Sequence, residues 1–224
     1  MPVFALPKEI IFPDPNLAEK DGLLAIGGDL SPERLIEAYA NGIFPWYSEG
    51  EPLLWWSPDP RMILFPDKFK ISKSLGQSIR NKKNEVFFDR DFKAVIENCA
   101  ITDRNGEKGT WITPDMQKAY INLHKAGFAH SVETYKDDKL IGGLYGISLG
   151  KAFFGESMFH TETDASKIAL YSLVTRMKDW GFHFIDVQQE TNHLKSLGAE
   201  TVPRKKFLGL LVEALKFPMV KGKW

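Results

Sequence analysis

Residues 130–159 read HSVETYKDDKLIGGLYGISLGKAFFGESMF. Three runs rich in β-branched and aromatic residues are separated by Asp137-Asp138 and by Gly150-Lys151, residue types that tolerate tight turns. The spacing predicts three consecutive antiparallel strands, HSVETYK, KLIGGLYGISL and KAFFGESMF. On the C-terminal side the period changes. A helix is expected from about Ala165 to Trp180, closed by Gly181, followed by a strand in FHFIDVQ. Asn192 to Leu197 reads as a short helix, and Pro203 opens a final one.

On the N-terminal side, Thr113-Pro114 marks a helix start, with Thr as cap and Pro in the first turn. That helix runs through Ala126 to Gly127. Residues 71–83 and 90–100 also read as helices, the first with Ile71, Leu75 and Ile79 on one stripe. Ser31-Pro32-Glu33 opens a helix to about Ala40. The rest of residues 1–66 is rich in Pro, Gly and Trp and reads as an ordered, irregular layer. The order of elements predicts an α+β protein: a small N-terminal α/β domain over residues 1–66 and a larger domain over 67–224 with a mixed, partly antiparallel sheet.

The chain has 224 residues, 43% of them hydrophobic and 26% charged, as a soluble globular protein would. Its one cysteine, Cys99, excludes an intrachain disulfide framework and a cysteine-rich metal site, and fits a reducing, cytoplasmic setting. The opening MPVFALPKEIIFP has no basic start and is not a signal peptide. No apolar run is long enough to span a bilayer. Formal net charge is zero, yet residues 1–59 carry a net −7, while residues 68–93 and 204–224 each carry +5. Such separation hints at an anionic partner and is equally compatible with a solvated surface.

Several chemistries find no support. GESMF lacks the second glycine of the G-x-S-x-G nucleophile elbow. His124, His130, His160, His183 and His193 lack metal-ligand spacing. GLLAIGGDL matches neither a dinucleotide nor a phosphate loop, so no cofactor or metal is implied. The strand FHFIDVQQ carries more. Alternation puts Phe184, Asp186 and Gln188 on one face and Ile185 and Val187 on the other. A carboxylate that accepts from a glutamine N–H fixes the amide and leaves its oxygen free to accept from an amine. Glu156 adds a polar group among Phe153, Phe154, Met158 and Phe159, a set that suits a small-ligand pocket or a core equally. Trp46, Trp55, Trp56 and Trp111 stand beside turn residues, either as buried anchors or as platforms for an unstacked base.

GLLAIGGDLSPERLIEAYANGIFPWY, LWWSPDPR, GTWIT, LIGGLYGI, FFGESMFHTETDASKIAL, GFHFIDVQ and HLKSLGAETVPR together resemble the leucyl/phenylalanyl-tRNA–protein transferase family, in the family's order and over about residues 20–207. The resemblance implies a GNAT-like (acyl-CoA N-acyltransferase-like) larger domain that uses no acyl-CoA. It implies transfer of Leu or Phe, and less well Met, from Leu-tRNA, Phe-tRNA or Met-tRNA to proteins with N-terminal Arg or Lys. The product would be marked for N-end rule degradation in the cytoplasm. The enzyme would be a monomer with no cofactor, no DNA partner and no membrane. Asp186 and Gln188 would be the catalytic pair, with Glu156 as a site carboxylate. Trp46 and Trp111 would hold the 3′-terminal adenosine. Leu144, Phe153, Met158, Leu170, Leu173 and Ile185 would receive the transferred side chain. Some members have Phe at the position of Leu173 and many have Cys at Val187; the alternation directs Val187 away from the site. Lys73, Arg80, Lys82 and Lys83, on the basic helix, could grip the acceptor arm through its phosphates.

Two other readings stay open on residues alone. One is an acetyl-CoA-dependent acetyltransferase, which the missing phosphate loop disfavours. The other is a noncatalytic RNA-end or peptide-binding module, which leaves Asp186 and Gln188 unused.

Overall fold

The computed structural model describes residues 3–80, 83–102 and 110–224. The three strands expected over residues 130–159 form the middle of a seven-stranded sheet. They are β7 (Ala129–Lys136), β8 (Lys139–Leu149) and β9 (Ala152–His160), joined antiparallel by two tight turns. Asp137, Asp138 and Gly150 all take positive φ, the conformation such turns demand. On one flank lies β6 (Asn84–Phe88). On the other lie β10 (Phe184–Gln188), β5 (Arg61–Leu64) and β11 (Glu200–Val202), giving the order β11-β5-β10-β9-β8-β7-β6. Within this sheet, among the described residues, only the β9–β10 pair is parallel, so the sheet is mixed and largely antiparallel, as expected.

β6 and β11 had no clear sequence signal. NEVFF is five residues between charged segments, and ETV is three. Three residues are too few to show a period, and NEVFF does not alternate between polar and apolar positions.

Both faces of the sheet are covered. Helix α5 (Ala165–Asp179) lays Ile168, Leu170, Leu173, Val174 and Met177 on one face, where they join Phe153 and Ile185. α5 also approaches closely: a Cβ on Gly142 of β8 would sit 2.6 Å from that of Ala165, so a bulkier residue there would push the helix off the sheet. Helices α3 (Phe92–Ile101) and α4 (Pro114–Lys125) cover the other face. The Thr113 hydroxyl accepts from the Met116 N–H at 3.3 Å, and Gly127 at φ 78° closes the far end of α4, as the sequence predicted. Helix α2 spans Lys73–Arg80. Its Leu75 is buried against the α5 side, while Ile71, ahead of the helix, is exposed.

Residues 4–56 form a second, four-stranded sheet: β1 (Phe4–Ala5), β2 (Leu23–Ile26), β3 (Phe44–Pro45) and β4 (Leu54–Trp56) in the order β1-β2-β4-β3. Helix α1 (Pro32–Ala40) starts where expected, with the Ser31 hydroxyl on the Arg34 N–H. Trp55 is fully buried and donates its indole N–H to the Gly27 carbonyl at 2.8 Å, a fold anchor. Leu35, Tyr39 and Trp55 belong to the same apolar cluster as Tyr120, Phe154 and Phe207, so the two sheets share one core. The expected boundary at residue 66 falls after β5, whose residues pair within the larger sheet. Among the described residues no helix is long and apolar enough to cross a membrane.

Candidate functional site

β9 and β10 pair over three residues, from Phe184↔Ala152 to Asp186↔Phe154, and their pairing then stops. Two irregularities accompany the separation. β8 and β9 shift register between Tyr145 and Gly146, and β10 shifts against β5 between Asp186 and Gln188. Such bulges re-aim side chains at the end of a strand pair. The gap they leave is a pocket of about 110 Å³. Its size is of the order of an engineered cavity of about 150 Å³ that admits benzene, which suits one aliphatic or phenyl group.

The pocket wall is largely apolar. Leu144, Phe153, Met158, Leu170, Leu173 and Ile185, the six residues the resemblance implied, all line it, together with Val187 and Leu194. Val187 corrects the expectation that it points away from the site. The alternation was right, placing Ile185 and Val187 on one face, but that is the face on which the pocket lies.

The polar groups form a connected network at the pocket rim, where Glu156 also lines it. The Gln188 side-chain N–H donates to Glu156 Oε1 at 2.9 Å. The Tyr120 hydroxyl donates to Glu156 Oε2 at 2.9 Å, and Tyr39 is hydrogen bonded to Tyr120. Burial pushes the Glu156 carboxyl up to about 7, against the hydrogen bonds from the tyrosines and Gln188 that favour its charged form. Burial beside that carboxylate also pushes both tyrosine hydroxyls well above their ordinary range, so near neutral pH they are proton-bearing donors.

Asp186 does not hold the Gln188 side chain, as the sequence reading had it. Its Oδ1 accepts from the Gln188 backbone N–H at 2.9 Å. That bond secures Gln188 at φ 63°, a left-handed conformation that costs a non-glycine residue about 1 kcal/mol or more. The amide orientation comes from Glu156 instead. Asp186 is fully buried and faces Arg61, which donates from Nε at 2.9 Å and from Nη2 at 2.7 Å. The Arg61 guanidinium lies between the Phe44 and Phe207 rings, 4.8 and 4.6 Å from their centroids, and donates from Nη1 to the Gly42 carbonyl. A buried charge pair of this kind tolerates its desolvation only because each guanidinium nitrogen and each carboxylate oxygen has a hydrogen-bond partner. Arg61, Tyr39 and Tyr120 were not singled out from sequence. Arg61 did leave a signal, a charge inside the buried strand RMIL, which requires a partner.

Trp46 is exposed (39%), with its ring edge-on to Trp56 at 5.5 Å, while Trp111 is half-buried against the core. Their loops are tied together by the Tyr47 hydroxyl, which lies 3.2 Å from Thr113 Oγ1. Lys73, Arg80 and Lys83 are exposed in and just after α2, and Lys82 lies outside the described residues.

An α/β protein whose sheet splits to form a one-side-chain pocket, with a fixed carboxylate–amide pair at its rim, has the outline of a group-transfer enzyme with an apolar specificity site. Comparison with known proteins narrows this. The family described as leucyl/phenylalanyl-tRNA protein transferase matches residues 63–212, and its N-terminal domain matches residues 28–59. Proteins named leucyl/phenylalanyl-tRNA–protein transferase are similar over 100% of this chain. That of Desulfatibacillum aliphaticivorans is 57% identical, with 96% of its length covered. That of Maridesulfovibrio salexigens is 56% identical, with 94% covered. That of Myxococcus xanthus is 53% identical, with 97% covered. The chain belongs to the leucyl/phenylalanyl-tRNA–protein transferase family. It is an aminoacyltransferase that moves an amino acid from tRNA to protein. Solved structures align more distantly. A GCN5-related N-acetyltransferase from Kribbella flavida has a TM-score of 0.42 at 7% identity, over 75% of this chain and 59% of that one. L-PGS from Bacillus licheniformis has a TM-score of 0.41 at 13% identity, over 75% of this chain and 54% of that one.

Proposed function

We propose that the pocket receives the side chain of Leu or Phe, and less well Met, carried by its tRNA, and that Gln188 receives the N-terminal amine of a protein beginning with Arg or Lys. One observation carries the reading: the Gln188 N–H is committed to Glu156 at 2.9 Å, which leaves its amide oxygen to accept from an attacking amine at the rim of the apolar pocket. The donor ester is already activated, so amide formation needs neither ATP nor a protein nucleophile. An α-amine has a reference pKa near 8, so part of it is neutral at pH 7. The enzyme's contribution is then placement of that amine against the ester carbonyl. The adjacent ribose hydroxyl would pass a proton to the leaving oxygen.

In this reading the small N-terminal unit supplies Trp46, and the larger, GNAT-like unit supplies Trp111 and the pocket. The two tryptophans hold the terminal adenosine, and W46A or W111A weakens donor binding by about 1–3 kcal/mol if a base stacks there. A variant that loses its fold instead identifies that tryptophan as an anchor. The transferred residue marks the acceptor for N-end rule degradation, and the enzyme works as a cytoplasmic monomer. The decisive experiment is transfer of labelled Leu or Phe from charged tRNA to peptides beginning with Arg, Lys or Ala. Product with Arg and Lys alone is expected; equal labelling of the Ala peptide would remove the acceptor assignment.

Lys73, Arg80 and Lys83 would contact phosphates of the acceptor arm. The R80A/K83A variant should bind tRNA more weakly, with a shallower dependence of affinity on salt, because fewer counterions are released on binding. An affinity unchanged at every salt concentration would remove α2 from the interface.

A further inference from the structure

The chain's last residues run along the start of β7 and end against the pocket's own wall. Lys221 lies 4.8 Å from the Phe128 ring centroid, and Gly127 makes room for the tail: a Cβ there would come 2.8 Å from the Gly222 nitrogen. Trp224 then stacks on His130 at 3.9 Å between centroids, nearly parallel, and donates its backbone N–H to Asp89 Oδ2 at 2.8 Å. The same carboxylate oxygen lies 2.8 Å from His130 Nδ1, so one buried aspartate fixes both members of the stack.

His130 is opposite Gly146 in the β7–β8 register. A Cβ on Gly146 would sit 2.1 Å from the Phe154 carbonyl oxygen and 2.5 Å from Phe153 Cε1, so backbone and ring together leave room only for glycine. Phe153 thus leans over Gly146, and its ring centroid is 5.8 Å from that of Trp224. Phe153 also lines the apolar pocket. The ring that bounds the pocket is therefore backed by the ring at the end of the chain.

We propose that Trp224 is a specificity-determining positioning residue, which holds Phe153 in place and thereby sets the balance between branched aliphatic and planar aromatic side chains in the pocket. The proposal rests on the reading of that pocket as the aminoacyl side-chain site. With Trp224 truncated, Phe153 has space to swing back and the pocket deepens. The longer phenyl group gains from that space, while the shorter isobutyl group loses contact with its wall.

The test is kcat/KM for transfer of Leu and of Phe from their tRNAs to one Arg-initiated peptide, for wild type, W224A and W224F, with thermal midpoints measured alongside. W224A should raise the Phe:Leu ratio at least about threefold, less than the roughly tenfold or more that a whole methylene commands. W224F keeps a ring on His130 and should stay within about twofold of wild type. A residue that only staples the fold would lower the midpoint and both rates while leaving the ratio unchanged, and that result overturns the proposal. If W224A does not fold, W224L, which keeps bulk without the stack, is held to the same criterion. Wild-type protein that transfers neither residue overturns the pocket reading itself, and this proposal with it.

Discussion

Arg61→Met should lower stability by about 3–5 kcal/mol, Asp186→Leu by a similar amount, and the R61M/D186L pair by much less than the sum. Each single change strands a full charge in a fully buried site. The double change removes both charges and leaves apolar groups between Phe44 and Phe207. The Gly42 carbonyl, which loses Arg61, still accepts from the Ser57 hydroxyl at 3.2 Å, so no acceptor is orphaned. Transfer activity should not recover with the fold. The Gln188 N–H loses the carboxylate that secures it in a left-handed conformation, and a displacement of about 1 Å at a reacting group can cost on the order of 100-fold in rate. Denaturant midpoints and single-turnover transfer rates measure the two effects separately. Aminoacyl-tRNA affinity should stay within about tenfold of wild type, because Asp186 does not line the pocket. A stable double variant with full transfer would show that Asp186 is structural only.

The same residues show how far one sequence can be read. The central strands, the two turns and the start of α4 rest on local chemistry, and each lies where period and capping placed it. The alternation of FHFIDVQ also held in part, with Ile185 and Val187 on one face and Phe184 and Asp186 on the other. It failed at Gln188, where a register shift and a positive φ break the two-residue period. Partner choice was beyond reach for a different reason. Arg61 meets Asp186 across 125 positions, Tyr120 meets Glu156 across 36, and Gln188 meets Glu156 across 32. Such pairings are set by sheet order and by which helix covers which face, and neither a strand nor a helix signal names its neighbour. The pocket-lining residues came from family resemblance; as a pattern they are indistinguishable from core. Val187 was misplaced because it was not evident which sheet face would carry the pocket.

Glu156→Gln should separate the carboxyl's charge from its shape, and the pH dependence of stability is where it will show. The folded-state value of about 7 lies above the ordinary 4.5. Between those values the folded protein holds a proton that the unfolded chain has released, so this group's contribution to stability falls as pH rises through that window. Below 4.5 both states are protonated and the contribution is flat; above 7 both are ionised and the cost is constant at about 3 kcal/mol. E156Q has no such titration. Relative to wild type it should therefore gain up to about 3 kcal/mol from pH 4.5 to 7, read from urea midpoints across that range. Its activity should move the other way. The native carboxyl accepts from Gln188 on one oxygen and from Tyr120 on the other. A glutamine amide offers one acceptor oxygen and one NH2 group, which only donates, so one of the two donors loses its acceptor. Either Gln188 turns over and presents N–H groups to the incoming amine, or the Tyr120 hydroxyl loses Glu156 as acceptor and keeps only its bond to Tyr39. Transfer should drop about 10- to 100-fold in the first case. In the second, part of the stability gain is lost with that hydrogen bond, at about 0.5–1.5 kcal/mol. A variant with wild-type transfer and an unchanged pH profile of stability would mean that Glu156 neither orients Gln188 nor titrates near neutrality. The amide oxygen would then have no fixed direction from which to receive the amine.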